Sequence, residues 1–278
     1  MTSRQLGVLL GLLLVLYAHG AAAQTKTCDA LRGAKRAVAV AVLESQYPYD
    51  CCDETLAKCL RKNPVCSLVT RLANDVCRRA GAGESQADIE RELLRRAASR
   101  NSPKVKIDLS HAVVAGDPSA PVPIVMYVCA RCPYCARLTP ALYHSVTEGR
   151  LKGKAKLYLR PFPIRSHEHS TVGGMAWLAA GRLGKFWEMV LYMYANFDRF
   201  DPDKLPDCAA HQGMDRAAFS KLLGDPALRR QLVESKKEGI RNHVTATPTL
   251  FIQGRKYQAD LALPAVEDFV EEVAEARK

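Results

Sequence analysis

The sequence predicts an α/β chain preceded by a small, cysteine-rich, all-helical region. Three observations predict it. Residues 26–100 carry apolar residues at helical spacing together with six of the ten cysteines. Residues 104–278 mix strand-like runs with helical periodicity and carry the other four. Between them, Asn101-Ser102-Pro103 is a turn-forming triplet that marks the junction. A length of 278 residues suits about two domains of ~150 residues each. Hydrophobic residues at 48% and charged residues at 25% exclude disorder as the general state. The net charge of +11 is spread along the chain with no basic arm, so nucleic-acid binding is not expected.

The elements follow in order. Residues 1–23 place one charge, Arg4, before the apolar run Leu6–Ala18, and then set small residues Ala21 and Ala23 ahead of Gln24. That is the layout of a secretory signal peptide cleaved after Ala23, because a run of ~13 residues is short of the about 20 that a membrane span needs. Ala37–Leu43 reads as a helix closed by Pro48. Asn63-Pro64 reads as the start of another, with Val65, Leu68, Val69, Leu72 and Val76 on one face and Gly81-Ala82-Gly83 at its end. Ser85 caps a third, with Ile89, Leu93 and Leu94 following.

In the second half, Val105, Ile107 and Leu109 alternate like a strand, and Gly116-Asp117-Pro118 turns the chain. Val122–Val128 is nearly continuous in apolar residues, the pattern of a central strand covered on both faces. A helix is expected over 133–146, a strand over 156–159, and helical segments over 171–197, 216–223 and 227–240. Thr249–Ile252 and Arg255–Tyr257, joined at Gln253-Gly254, read as a hairpin, and the last helix covers about 264–276.

The chemistry is expected at Cys132-Pro133-Tyr134-Cys135, where the buried strand ends and a helix opens. Two cysteines three apart can share one sulfur–sulfur bond. The unpaired N–H groups and positive dipole end of the helix favour the thiolate of Cys132, the attacking species in exchange. Pro133 is tolerated there because its missing N–H would have no helical partner. Cys135, one turn in, is the resolving thiol. A structural bridge, half of a zinc site completed by Cys129 or His167, and chance spacing are the other readings of the pair. Downstream, Thr247-Pro248 stands directly before a strand, which suits an edge or a cis turn; a cis Pro248 leaves the Thr247 backbone free to pair with an extended peptide.

Together with Arg160-Pro161-Phe162-Pro163, Gly184–Met189 and the Thr247–Arg255 segment, these residues resemble the thioredoxin superfamily, and closely its DsbA-like thiol-disulfide oxidoreductases. The resemblance covers about residues 104–275. It implies a thioredoxin-like core with an inserted helical subdomain at about 167–240, a redox-active Cys132, a resolving Cys135 and a cis Pro248 shaping the substrate groove. Tyr134 stands where DsbA carries a histidine, and Tyr134 with Thr247 looks more like DsbC and DsbG. A neutral Tyr cannot favour the thiolate as an imidazolium does, so a potential below the roughly −120 mV of DsbA is expected. The strand positions Met126–Cys129 hold no carboxylate to act as a buried acid–base partner.

Cys28, Cys51, Cys52, Cys59, Cys66 and Cys77 allow fifteen pairings, of which a Cys59–Cys66 bridge is geometrically reasonable. Disulfide staples, a second redox or docking module, and a copper or zinc site are the readings of that set. Cys129 reads as a small buried hydrophobe or as a thiol that traps or regulates the active pair. Cys208 reads as core or as a bridge to the first half, and His167 and His169 as solvated loop residues or as lining of the groove. Trp177 and Trp187 read as helix packing.

Two functions of different class follow. One is a secreted or periplasmic oxidoreductase, in the oxidase or the isomerase/reductase direction, exchanging disulfides with protein substrates and with a membrane or soluble redox partner. The other is a non-enzymatic metal-binding or assembly module. The first needs no organic cofactor and no metal.

Overall fold

The structure is a computed structural model that describes residues 26–276. The segment read as a signal peptide lies outside the described residues. The chain divides into two compact units, one ending at Gln86 and the other beginning at Ala87.

The first unit holds helices α1 (Lys26–Asp29), α2 (Gly33–Ser45), α3 (Leu56–Cys59) and α4 (Ser67–Ala82). Val42, Leu56, Leu72 and Val76 are fully buried among them. Cys28 joins Cys77, Cys51 joins Cys66 and Cys52 joins Cys59. The expected Cys59–Cys66 bridge is therefore not formed: adjacent Cys51 and Cys52 each take one of the two partners. The expected helix start at Asn63-Pro64 is also displaced. Pro64 lies in the loop, and α4 begins after Cys66, which Cys51 holds. The helix ends as expected, on Gly83 at φ +90°, with the Glu84 N–H returning to the Arg79 carbonyl.

The second unit holds α5 (Gln86–Asn101), strands β1 (Val114–Ala115) and β2 (Val122–Val128), α6 (Pro133–Thr147) and β3 (Ala155–Pro161). Five helices follow: α7 (Ser170–Arg182), α8 (Phe186–Ala195), α9 (Leu205–His211), α10 (Arg216–Leu223) and α11 (Pro226–Arg241). β4 (Thr249–Ile252), β5 (Arg255–Lys256) and α12 (Leu263–Glu275) complete the unit. The sequence groups α5 with the cysteine-rich half, but the division falls at its first residue and places Ala87–Asn101 in the second unit. The Arg96 guanidinium reaches Asp268 and Glu272 of α12, both at 2.7 Å.

The sheet order is β1-β3-β2-β4-β5. β2 runs parallel to β3 and antiparallel to β4, so it is central, as its unbroken apolar run requires. Val105–Leu109 does not join as a strand. After one bridge, Lys104 to Arg255, the Asp108 N–H turns to the Glu238 carboxylate at 2.7 Å. Val105, Ile107 and Leu109 still pack on the sheet, against Val125, Tyr127 and Phe251. The hairpin turn puts Gln253 and Gly254 at positive φ, and a side chain on Gly254 would meet the Val105 carbonyl at 2.8 Å. Helices α7–α11 form the insertion between β3 and β4. They share one core with α6 and α12 on the sheet face occupied by Met126 and Val128.

Candidate active site

β2 delivers the chain to the site. Its last residue, Val128, accepts a hydrogen bond from the Phe162 N–H, and a tight turn over Cys129–Cys132 follows, closed by Cys132 N–H to the Cys129 carbonyl at 3.1 Å. Cys132 is the N-cap of α6, with extended backbone (φ −102°, ψ 120°), and Pro133 occupies the first turn. The sulfur of Cys132 therefore sits where the helix has spare N–H groups.

The two thiols are driven apart in acidity. Cys132 is lowered to about 5, first by a hydrogen bond from the Cys135 thiol and then, against its own burial, by the Cys135 N–H, Thr247 and the Tyr134 N–H. Cys135 is pushed well above its ordinary range, chiefly by burial and further by Cys132. At neutral pH this arrangement is one thiolate donor-bonded by one thiol. Tyr194, buried and also pushed upward by that burial, lies near both sulfurs and donates its hydroxyl to the Cys129 carbonyl at 3.1 Å. Sequence reasoning missed Tyr194, because nothing in the spacing of α8 marks a residue that packs against α6 from so far along the chain.

The Thr247–Pro248 peptide is cis, and the Thr247 carbonyl lies 3.2 Å from the Cys132 sulfur. The Thr247 hydroxyl is buried near the two sulfurs and has no hydrogen-bond partner among the described residues. Cys132 is only 1% exposed, whereas Tyr134 is 63% exposed. The Cys132 sulfur is thus more covered than its place at a helix mouth suggests, with the Thr247 carbonyl directly against it. Beside it opens a groove of about 620 Å³ lined by Tyr134, Leu138, Thr247, Pro248, Leu261 and Leu263. Arg137 stacks over the Tyr134 ring at 5.2 Å, and Arg131 lies over Phe197 and Phe200 at 4.4 and 4.7 Å. The structure therefore brings Cys132, Pro133, Tyr134, Cys135, Thr247 and Pro248 to one place.

Residues 109–272 match a family model described as thioredoxin. The chain belongs to that family. The fold of this thioredoxin-family chain is shared by three solved structures. A thioredoxin-like oxidoreductase from Silicibacter pomeroyi has a TM-score of 0.52 at 19% identity, covering 60% of this chain and 94% of that one. Wolbachia pipientis alpha-DsbA1 has 0.51 at 19%, covering 62% and 96%. The catalytic domain of Proteus mirabilis ScsC has 0.52 at 16%, covering 66% and 98%. Among curated proteins, an NhaA Na(+)/H(+) antiporter of Salinispora arenicola is 28% identical over 163 residues, 58% of this chain. An NhaA of Herminiimonas arsenicoxydans is 25% identical over 174 residues. The aligned stretch spans about a quarter of the length of these relatives (24% and 26%). No helix among the described residues is long and apolar enough to cross a membrane.

The remaining sequence candidates separate. His167 is paired rather than free in its loop: its Nδ1 lies 3.4 Å from the Cys129 sulfur. Cys129 is a free, buried thiol. Cys208 is also free and half-buried beside the Tyr192 hydroxyl, so it forms neither bridge nor full core. His169 contributes to a separate cavity of about 400 Å³ with Met175 and Arg229. A buried carboxylate exists, although the strand supplies none. Glu238 of α11 accepts from the Tyr127 hydroxyl at 2.9 Å and from Arg160 at 2.8 Å. It sits on the opposite sheet face from Met126 and the two cysteines, because Tyr127 and Met126 point to opposite sides of β2.

Proposed function

We propose that the chain is a thiol–disulfide oxidoreductase that exchanges disulfides with protein substrates through Cys132 and Cys135. The observation that carries this reading is the split in acidity across one helical turn, a lowered Cys132 against a raised Cys135. The Cys132 thiolate attacks a substrate disulfide, or a reduced substrate attacks an oxidised Cys132 sulfur; either way a mixed disulfide forms, and Cys135 resolves it. The apolar groove beside Tyr134 and the Thr247 backbone hold an extended, unfolded segment. Substrate binding has to displace Thr247 from the Cys132 sulfur, which makes exchange selective for chains that can take over its backbone contacts.

Tyr134 and Thr247 favour the isomerase or reductase direction over a strong oxidase, since no cationic side chain at position 134 adds to the stability of the thiolate. The three disulfides of the first unit suit a compartment outside the cytoplasm, as does the apolar N-terminal run. They also count against the metal-binding alternative, because bridged sulfurs are not thiolate ligands. The identity of residues 109–272 as a thioredoxin-type module leaves the antiporter activity of the NhaA relatives with those proteins.

Titration of the Cys132–Cys135 bond against glutathione tests the proposal, with insulin reduction as companion assay. The expected potential lies below roughly −120 mV, toward the −200 mV range of reductants and isomerases. Cys132→Ser is expected to abolish insulin reduction; full activity in that variant would refute the assignment.

A further inference from the structure

The turn that presents Cys132 also presents a third sulfur. The hydrogen bond from Cys132 N–H to the Cys129 carbonyl closes a four-residue turn, which brings the two Cα atoms within about 7 Å. Disulfides bridge Cα separations of about 4.4–6.8 Å. Cys129 therefore stands three residues before Cys132, as Cys135 stands three after it, at a Cα separation of the order a disulfide spans. The Cys129 sulfur also has surroundings of its own. His167 Nδ1 lies 3.4 Å away, the Arg131 and Ile164 N–H groups point at it, and the Ser170 hydroxyl, which donates to the Ile164 carbonyl, lies near it. Burial raises its thiol, and so does the charge on Cys132. That second effect vanishes once Cys132 is tied in a neutral mixed disulfide. Cys129 is as buried as Cys132, each at 1% exposure.

We infer that Cys129 is a second resolving thiol, with His167 as its base, acting on the mixed disulfide carried by Cys132. This rests on the oxidoreductase reading above. In the step, His167 takes the Cys129 proton and the Cys129 sulfur attacks Cys132. The bond between Cys132 and the client breaks, the Cys129–Cys132 bond forms, and the client leaves as a thiolate that recovers the proton from His167. Cys135 then attacks Cys132 as its proton passes to the departing Cys129 sulfur, so the Cys129–Cys132 bond breaks, the Cys132–Cys135 bond forms and the Cys129 thiol is restored. No external oxidant or reductant enters. The consequence is a site that releases trapped clients by two routes and does not accumulate mixed disulfides when Cys135 is slow.

The test uses the full chain as Cys135→Ser and as Cys129→Ser with Cys135→Ser, each challenged with glutathione disulfide and followed by intact mass and peptide mapping. The single variant is expected to take up glutathione and then lose it, leaving a Cys129–Cys132 cross-linked peptide; the double variant is expected to keep its glutathione. Adding His167→Ala to the single variant is expected to slow the release by about a hundredfold, the low end of general-base contributions, with the capture rate unchanged. The cross-linked peptide in the single variant is sufficient support even if the double variant folds poorly. If the single variant holds glutathione indefinitely with no Cys129–Cys132 peptide, the relay is overturned. If Cys132 takes up no glutathione in the single variant, the oxidoreductase reading itself fails and the relay falls with it.

Discussion

At Cys132, the hydrogen bond from the Cys135 thiol does more for the thiolate than Thr247 does. This ranks two substitutions. Cys135→Ala removes a hydrogen bond to a charged group, worth about 1.5–3 kcal/mol, and is expected to raise the Cys132 pKa by roughly one to two units. Thr247→Val is expected to raise it by less. The check is the pH dependence of alkylation in the reduced variants; a larger rise for Thr247→Val would reverse the ranking. The Cys-x-x-Cys spacing made this part of the site legible in the sequence, because the chemistry depends on a local turn. Cys129 with His167 and the Tyr194 hydroxyl were not legible, since 38 and 65 residues separate the partners and only the tertiary fold joins them.

At the scale of elements, periodicity found what packing enforces. Val122–Val128 matches β2 residue for residue, because a strand covered on both faces must be apolar without a break. It failed at Val105–Leu109, where the alternation is real but the backbone donor of Asp108 is taken by Glu238 rather than by a neighbouring strand. It also failed to assign α5, whose side chains Glu92, Ser99 and Arg96 bond to residues 258–272. Arg96 is 4% exposed and bonds to Asp268 and Glu272. Removing Arg96 leaves Glu272 with the 3.9 Å contact to Arg100 and Asp268 with the 3.6 Å contact to Arg150 in place of two 2.7 Å pairs, so Arg96→Ala is expected to cost about 3 kcal/mol in urea unfolding. Arg96→Met combined with Glu272→Met is expected to recover much of that loss. A cost under about 0.5 kcal/mol for Arg96→Ala would show that α5 does not depend on this pairing.

At the scale of the whole molecule, two kinds of cysteine share one chain. The first unit spends six on bridges that close loops of different length, and loop length sets their expected worth. Cys28–Cys77 spans 49 residues and is expected to contribute about 4 kcal/mol, against about 2.5 kcal/mol for Cys52–Cys59 across 7. Thermal unfolding of the two paired Cys→Ala variants checks that order; equal losses would contradict it. The second unit keeps its cysteines as thiols, and all but Cys208 of them cluster where β2 meets α6. The whole account depends on Cys132 being ionised at neutral pH while its neighbours are not. Site-resolved alkylation of the reduced chain across pH, read by peptide mass, measures that directly. A lowered group is ionised above its folded value and loses its charge as pH falls through it, so the Cys132 rate is expected to be flat through neutrality and to fall with a midpoint near 5. A Cys132 rate still climbing through about pH 8.5, like that of an ordinary thiol, would contradict the account.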